Sequence, residues 1–483
     1  MSGELDLRPL VPAIIVGVTG LVVLLAQAFT PKDRRAPSAP LSLTGLLAAL
    51  AAVWLLASGG GRGAVLANAV SADAYSLFFQ ALLLGIAAVA VLLSPSYLRA
   101  NGLDRGEYYA LLLFSVVGML GLVSSLELVS MFVALEIMSI ALYGMAGLYR
   151  SRMESQEAAL KYFVTGAFSS AFFLYGVALL YGVSGSTSLD RLEWAVSTLT
   201  TDSAALALLG AGMLLVGFGF KIASVPFHMW APDVYEGAPT PATALMSAGV
   251  KAAAFGALLR VFGSALHALA GEWQPLVASL AVITMVVGNL AALAQGNLKR
   301  MLAFSSVAHA GYVLTALVAS PGQAGEAVLF YLVVYGAVNL GAFGTIAALS
   351  REGREPLSLG DVAGMAERRP ALAAALAVFL VSLTGIPVTA GFVGKFYLFN
   401  AAVTAGWVGL ALVGVLMSVV SAYYYLRVVV AMYMRDPLGE DTWARVSPSA
   451  TVALALSAVI TLVLGIYPAP VLTLARIAAR SLL

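Results

Sequence analysis

The sequence predicts an all-α membrane protein of about fourteen transmembrane helices, in which two inverted five-helix repeats each contain a discontinuous helix. Three observations predict it. Hydrophobic residues make up 61% of the chain against 10% charged, with mean hydropathy +0.95, far outside the range of a soluble globular domain. Apolar runs of about 20 residues, the length that crosses about 30 Å of hydrocarbon, recur along the whole chain. Two of those runs, five spans apart, are interrupted by glycine and proline and each carries a lysine.

The fourteen spans run over 10–30, 41–57, 72–93, 108–124, 127–149, 157–183, 203–229, 240–263, 275–295, 298–319, 325–349, 371–401, 406–434 and 448–470. They divide into three N-terminal helices (1–107), a first half (108–270, spans four to eight), a second half (271–434, spans nine to thirteen) and a C-terminal helix (435–483). The longest connections, 184–202 and 350–370, have room for a short helix or hairpin but too little apolar content for a core. The first span lacks a basic leading segment and is followed by Lys32, Arg34 and Arg35, so it reads as a retained helix rather than a cleaved signal. Loops after odd-numbered spans hold 15 Lys and Arg against 5 on the other face, which predicts odd loops in the cytoplasm and both termini in the periplasm.

Composition also excludes function classes. A net charge of +2 provides no basic surplus for nucleic acid. The absence of cysteine rules out disulfides, thiolate metal sites and cysteine-ligated clusters. The three histidines, His228, His267 and His309, have no zinc or haem ligand spacing. Redox chemistry within this chain is not expected.

The distribution of lysine is the most informative feature. Of six lysines, Lys161, Lys221, Lys251 and Lys395 fall within spans, whereas the loop positions are dominated by arginine. Arginine does not release its proton in a protein, but an amine withdrawn from water does so readily. Each charge near the membrane centre costs at least about 2.5 to 3.5 kcal/mol, so four lysines oppose folding by more than about 10 kcal/mol. Packing alone would favour leucine. A single such lysine is compatible with a structural ion pair or with snorkelling to an interface, but four together point to proton loading and unloading. Glu136, in the middle of the fifth span, is the acidic counterpart, and the short loop to the sixth span makes Lys161 its expected partner.

Polar residues continue from several of these positions at helical spacing: Lys161, Thr165 and Ser169; Thr243, Ser247 and Lys251; Tyr331, Tyr335 and Asn339; Ser305, His309 and Tyr312. Such stripes either line a water file or bridge helices by hydrogen bonds. A mid-span imidazole at His309 either relays protons or is a satisfied core histidine. In span seven, FKIASVPFHMW places Pro226 beyond Lys221, and in span twelve, LTGIPVTAGFVGKF places Pro387 eight residues before Lys395. Each proline frees a carbonyl four residues back, and unwound backbone at that depth is tolerated only where it lines protein or water.

The segments FKIASVPFHMWAPDVYEGAPTPATALMSAGVKAA (220–253), NLKRMLAFSSVAHAGY (297–312) and LSLTGIPVTAGFVGKFYLF (381–399) resemble the antiporter-like membrane subunits of bacterial respiratory complex I, a family related to Mrp antiporter subunits. Within it, the FHMWAPDVYEGAPTP form with lysine in the twelfth span is similar to the N-type subunits of NADH-quinone oxidoreductase, and the ending soon after the fourteenth span departs from the L type. The resemblance implies a subunit of a proton-translocating oxidoreductase of the inner membrane. It also implies a path in which Glu136 and Lys161 form a coupling pair, Lys221 is the central amine of the first half-channel, Lys251 the connector and Lys395 the amine of the second, with His228 and His309 in the matching motifs. Flavin, iron–sulfur clusters and quinone are then expected in partner subunits, the partners being the M-type antiporter-like subunit and small membrane subunits. Two other readings remain: an Mrp-like secondary antiporter exchanging cations for protons, and a scaffold without transport.

Overall fold

A chain in hydrocarbon must pair its own backbone amides and carbonyls, and helices do so within one segment. The computed structural model describes residues 7–31, 36–59, 64–65, 69–351, 354–437 and 443–482; Lys32, Arg34 and Arg35 lie outside them. In chain order its α-helices are α1 (Val11–Phe29), α2 (Ser38–Ser58), α3 (Ala74–Ala100), α4 (Gly106–Ser124), α5 (Leu128–Ala146), α6 (Met153–Ser184), α7 (Leu189–Ser197), α8 (Thr201–Ile222), α9 (Trp230–Gly237) and α10 (Thr240–Leu245). The remainder are α11 (Lys251–Arg260), α12 (Ala270–Leu293), α13 (Leu298–Leu314), α14 (Pro321–Leu349), α15 (Met365–Arg368), α16 (Pro370–Thr384), α17 (Ala390–Thr404), α18 (Val408–Met434), α19 (Pro448–Ile466) and α20 (Ala469–Arg480). The only ladder among the described residues is a two-residue antiparallel pair between Ala64–Val65 and Val70–Ser71.

Thirteen of the described helical stretches are long and apolar enough to cross a membrane. The span at 371–401, expected to be discontinuous, is two helices, α16 and α17, of 15 residues each, which at 1.5 Å per residue reach only about 22 Å apiece. The connection at 184–202 contains α7 and that at 350–370 contains α15. After α19 the chain turns into α20, a helix with one apolar face that the hydropathy pattern did not reveal, packed on α14 and α3.

The innermost layer is formed by the spans Thr240–Ala265, Leu298–Val318 and Pro321–Leu349, almost wholly buried by the rest of the chain. These are among the less apolar spans, while α1, among the most apolar, presents Leu21 and Leu25 outward. The order inverts that of a water-soluble protein, because lipid receives the apolar faces and protein receives the polar ones. Two isolated bridges recur at corresponding places: Glu127 pairs with Ser188 at the start of α5, and Asn297 pairs with Ser358 at the start of α13. Each ties the end of one span to the connection that follows the next.

Candidate functional site

The two breaks position the lysines. In α8 the helix stops at Ile222, Ala223 adopts the left-handed conformation (φ 57°), and the chain passes Pro226 before resuming as α9. The backbone groups freed there find new partners. Val225 N–H donates to Thr284 Oγ1 at 3.0 Å, and Trp230 Nε1 donates to the Phe220 carbonyl at 3.0 Å. Trp230 stacks on Tyr162 of α6 with ring centroids 4.5 Å apart, so the broken segment is anchored on three sides. The second break runs from Gly385 (φ 88°) to Thr389, with Val388 also left-handed at φ 74°. Here the Thr384 carbonyl, left open at the C-terminus of α16, accepts Lys395 Nζ at 3.0 Å. Gly391 is required because a Cβ there would overlap the Ser382 carbonyl oxygen.

Lys221, the last full turn of α8, is buried and donates to Ser139 Oγ on α5 at 2.7 Å, with its amine 5.2 Å from the Phe220 ring centre and 5.7 Å from that of Tyr143. Glu136 lies one turn from Ser139, accepts a short hydrogen bond from Ser170 on α6, and is within electrostatic reach of Lys221. Lys251 follows a π-helical turn, Met246–Val250, and donates to the Ser306 carbonyl of α13 at 2.5 Å. That turn interrupts the α-helical spacing within the Thr243, Ser247 and Lys251 stripe. The hydroxyls of Thr243 and Ser247 bond to the Tyr235 and Ala244 carbonyls instead. Likewise Thr165 donates to the carbonyl of Lys161.

The other stripes converge. Tyr335 donates to Ser306 Oγ at 2.8 Å, directly beside the carbonyl that holds Lys251. His309 Nδ1 shares a short hydrogen bond with the Tyr331 hydroxyl, its Nε2 lies 3.1 Å from the Tyr425 hydroxyl, and Tyr425 in turn bonds Ser305. The His309 ring lies within electrostatic reach of both Lys251 and Lys395. Lys395 completes the file: its amine sits 4.5 Å from the Tyr312 ring centre and donates to Ser418 Oγ at 3.2 Å. Tyr312 is held by Asn289 (3.1 Å), which also accepts from Tyr424 (3.0 Å). Asn339 lies buried on the same helix as Tyr331 and Tyr335.

Three expectations require correction. Glu136 and Lys161 are not in contact: Lys161 Nζ binds Asp233 Oδ2 at 2.5 Å and Glu157 at 2.6 Å. Lys161 is not buried either, its side chain being 42% exposed on an outward face of α6. The fourth fully buried amine is Lys299, absent from the four membrane lysines above although it stands at the start of the span 298–319; it lies 1% exposed against Glu355 at 3.2 Å and the Ala238 carbonyl at 3.1 Å. The physical reason is common to all three. A lysine stem is long enough to choose among several carboxylates, and adjacency of two helices does not decide which one it reaches. His228, in the unwound segment, is half-buried, and its ring lies 6.5 Å from that of Phe304 between centres.

Sequence reasoning missed Asp233, Glu236, Arg300, Asn289 and Tyr425. A signal existed for the first three: APDVYEG and NLKR place charges beside a membrane-embedded break, where each demands a partner. Arg300 Nη1 bridges Asp233 (2.8 Å) and Glu236 (2.7 Å). Among the described residues no cluster of three His, Asp or Glu has metal-binding geometry.

Comparison with known proteins bears on this arrangement. Residues 125–421 match the family described as NADH:quinone oxidoreductase/Mrp antiporter, transmembrane. The chain is 43% identical over 479 residues to NADH-quinone oxidoreductase subunit N of Trichlorobacter lovleyi, covering 99% of this chain and 97% of the relative. Among solved structures it is similar to a chain of respiratory complex I from Thermus thermophilus with bound aureothin, with 38% identity, TM-score 0.81, and coverage of 96% of this chain and 98% of that one. A chain of the Mrp complex from Dietzia shares the fold at 23% identity with TM-score 0.85, over 99% of this chain and 98% of the other.

Proposed function

Because this chain belongs to the subunit N family of NADH-quinone oxidoreductases, a membrane subunit of a proton-translocating enzyme, we propose that its amines and the tyrosine–histidine file between them carry the protons. One observation supports this above the others: Lys251, Ser306, Tyr335, His309, Tyr331, Tyr425, Tyr312 and Lys395 form a nearly continuous polar row through a wholly buried layer. Hydroxyl and imidazole groups both donate and accept, so a proton moves along such a row by exchange of hydrogen bonds.

In this reading Lys221 serves the first half-channel and Lys251 joins it to the second, where Lys395 is the terminal amine. Glu136 sets the charge near Lys221, and Lys161 is the mobile cation of the coupling pair. His228 lines the unwound segment at the entrance to the first half. The repeated bridges at Glu127–Ser188 and Asn297–Ser358, and the two breaks beside lysines, support the division into halves 108–270 and 271–434 after an N-terminal unit 1–107 and before a C-terminal unit 435–483. The excess of basic residues in odd loops supports a location in the bacterial inner membrane with both termini periplasmic. Flavin, iron–sulfur clusters and quinone belong to partner subunits. Moving each charge outward against the membrane potential requires about 2.3 kcal/mol per 100 mV, so redox energy arrives from those neighbours.

Isolation of the native assembly tests the reading. Co-purification with flavin and iron–sulfur subunits, with proton uptake into vesicles reduced by Lys221→Ala at unchanged assembly, is the expected result. Unchanged proton translocation in that variant, or isolation as a free cation exchanger, overturns it.

A further inference from the structure

The buried file explains how protons pass through the second half but leaves a charged cluster unused: Glu157 and Lys161 on α6, Asp233 and Glu236 on α9, and Arg300 on α13. Its geometry is asymmetric. Asp233 uses one oxygen for each half of the molecule, Oδ2 for Lys161 at 2.5 Å and Oδ1 for Arg300 at 2.8 Å. Glu236 contacts only the second half, through Arg300 at 2.7 Å and through Asn297 Nδ2 at 2.8 Å. Asn297 is also the N-cap of α13, its side chain accepting from the Lys299 amide at 2.9 Å and the Arg300 amide at 3.3 Å. The first turn of α13 is therefore fastened to α9, and α13 is the helix that carries Ser305, Ser306, His309 and Tyr312.

We propose that Asp233 is a positioning residue that couples Lys161 to α13, so that departure of the Lys161 amine from Asp233 is felt at the helix bearing the proton file. The inference rests on the transport role of Lys161 given above. The cluster holds three carboxylates and two cations. When the Lys161 amine leaves Asp233, Asp233 keeps a single cationic partner and draws harder on Arg300. Asp233, Glu236 and Arg300 are about one-third exposed and Lys161 and Glu157 more so, so each pair alone is worth little. Their effect lies in being shared: the same carboxylate cannot satisfy both cations equally while one of them moves.

Asp233→Asn retains the shape and one acceptor but removes the charge, and Glu236→Gln does the same to the neighbour that does not touch Lys161. Both are measured in the assembled complex in native membrane vesicles, with protons translocated per NADH oxidised as the readout and the content of intact complex as the control. The expected result is a loss of about fivefold in stoichiometry for Asp233→Asn at normal complex content. Glu236→Gln stays within about twofold, Asp233→Glu recovers most of the loss, and Lys161→Ala combined with Asp233→Asn is no worse than Lys161→Ala alone. Equal losses in Asp233→Asn and Glu236→Gln, or additive losses with Lys161→Ala, overturn the proposal and leave Asp233 as a structural clamp. If Lys161→Ala itself leaves pumping intact, the coupling role of Lys161 falls, and this proposal falls with it; if only Lys161→Ala impairs pumping, the failure is confined to Asp233.

Discussion

The two halves of the molecule hold their amines by different chemistry. In the first, Lys161 is bound by two carboxylates, and Lys221 has Glu136 within electrostatic reach. In the second, among the described residues, Lys395 touches no carboxylate, and neither does Lys251, which reaches from the first half to the Ser306 carbonyl of the second; carbonyls, a serine hydroxyl and a tyrosine ring face are all these two amines meet. A charge held by a carboxylate is compensated and stays, whereas one held only by dipoles in low dielectric bears most of its burial cost. Lys161 and Lys221 thus lie among carboxylate charge, whereas Lys251 and Lys395 are left to dipoles. Lys299 fits the same rule from the other side, since it is fully buried but paired with Glu355, and serves as structure.

Substitution of Lys395, an amine held by dipoles alone, should have the largest effect. Lys395→Arg preserves the charge and its hydrogen bonding but not the ability to release a proton, so proton pumping should fall to background while NADH-linked electron transfer in detergent persists. A pumping rate near that of the unmodified complex would break the distinction between the halves. His309→Leu should come next. It removes the group that joins the Tyr331 and Tyr425 hydroxyls, and a drop of about tenfold or more in dye-monitored acidification is expected at normal complex content.

Arg260→Leu probes compensation where it is structural. Arg260 binds Asp73 through two nitrogens at 2.8 and 3.1 Å and stacks on Tyr75 at 4.8 Å, joining α11 to the start of α3. Its removal strands a mostly buried carboxylate and should cost about 3 kcal/mol, read as a lowered melting temperature of the purified complex. Burial, the largest single influence, pushes the Asp73 carboxyl up, but the Arg260 guanidinium and the hydrogen bonds from Ser76 together hold the group below its ordinary 3.8. The folded value is the lower one, so this contribution is present above about pH 4 and disappears as the pH falls below 3.8. Arg260→Leu should therefore lose the acid-sensitive part of the unfolding profile. Gly391→Ala forces α17 away from Ser382 and should cost about 1 to 3 kcal/mol by the same thermal assay. Lys161→Arg should have the smallest effect, within about twofold on pumping, because a cation between Glu157 and Asp233 is what that position requires. A large loss there would show that Lys161 must itself release a proton.

The helical membrane fold was legible because hydropathy acts locally: twenty apolar residues commit to a helix whatever surrounds them. Both breaks were legible for a similar reason, since proline removes a donor wherever it stands. The file through Ser305, His309, Tyr331 and Tyr335 was partly legible from helical spacing, but its closing members, Tyr425 and Asn289, came from helices whose neighbours no periodicity reveals. The Glu136–Lys161 contact failed because loop length identifies adjacent helices and not their axial register: Glu136 meets Ser170, about 13 Å of helix rise along α6 from Lys161.

Composition and chain order alone established that this is a membrane protein, where its helices break, and that a small set of lysines falls within apolar spans. Those outcomes depend on transfer free energy and backbone chemistry, which each residue carries with it. Only the tertiary structure decided which amine meets a carboxylate and which meets a carbonyl, that Lys299 is buried and Lys161 exposed, and that Asp233 stands between the halves. Such choices depend on the juxtaposition of side chains from helices distant in the chain, and a charge in a low-dielectric interior is governed by whatever lies within a few ångströms of it.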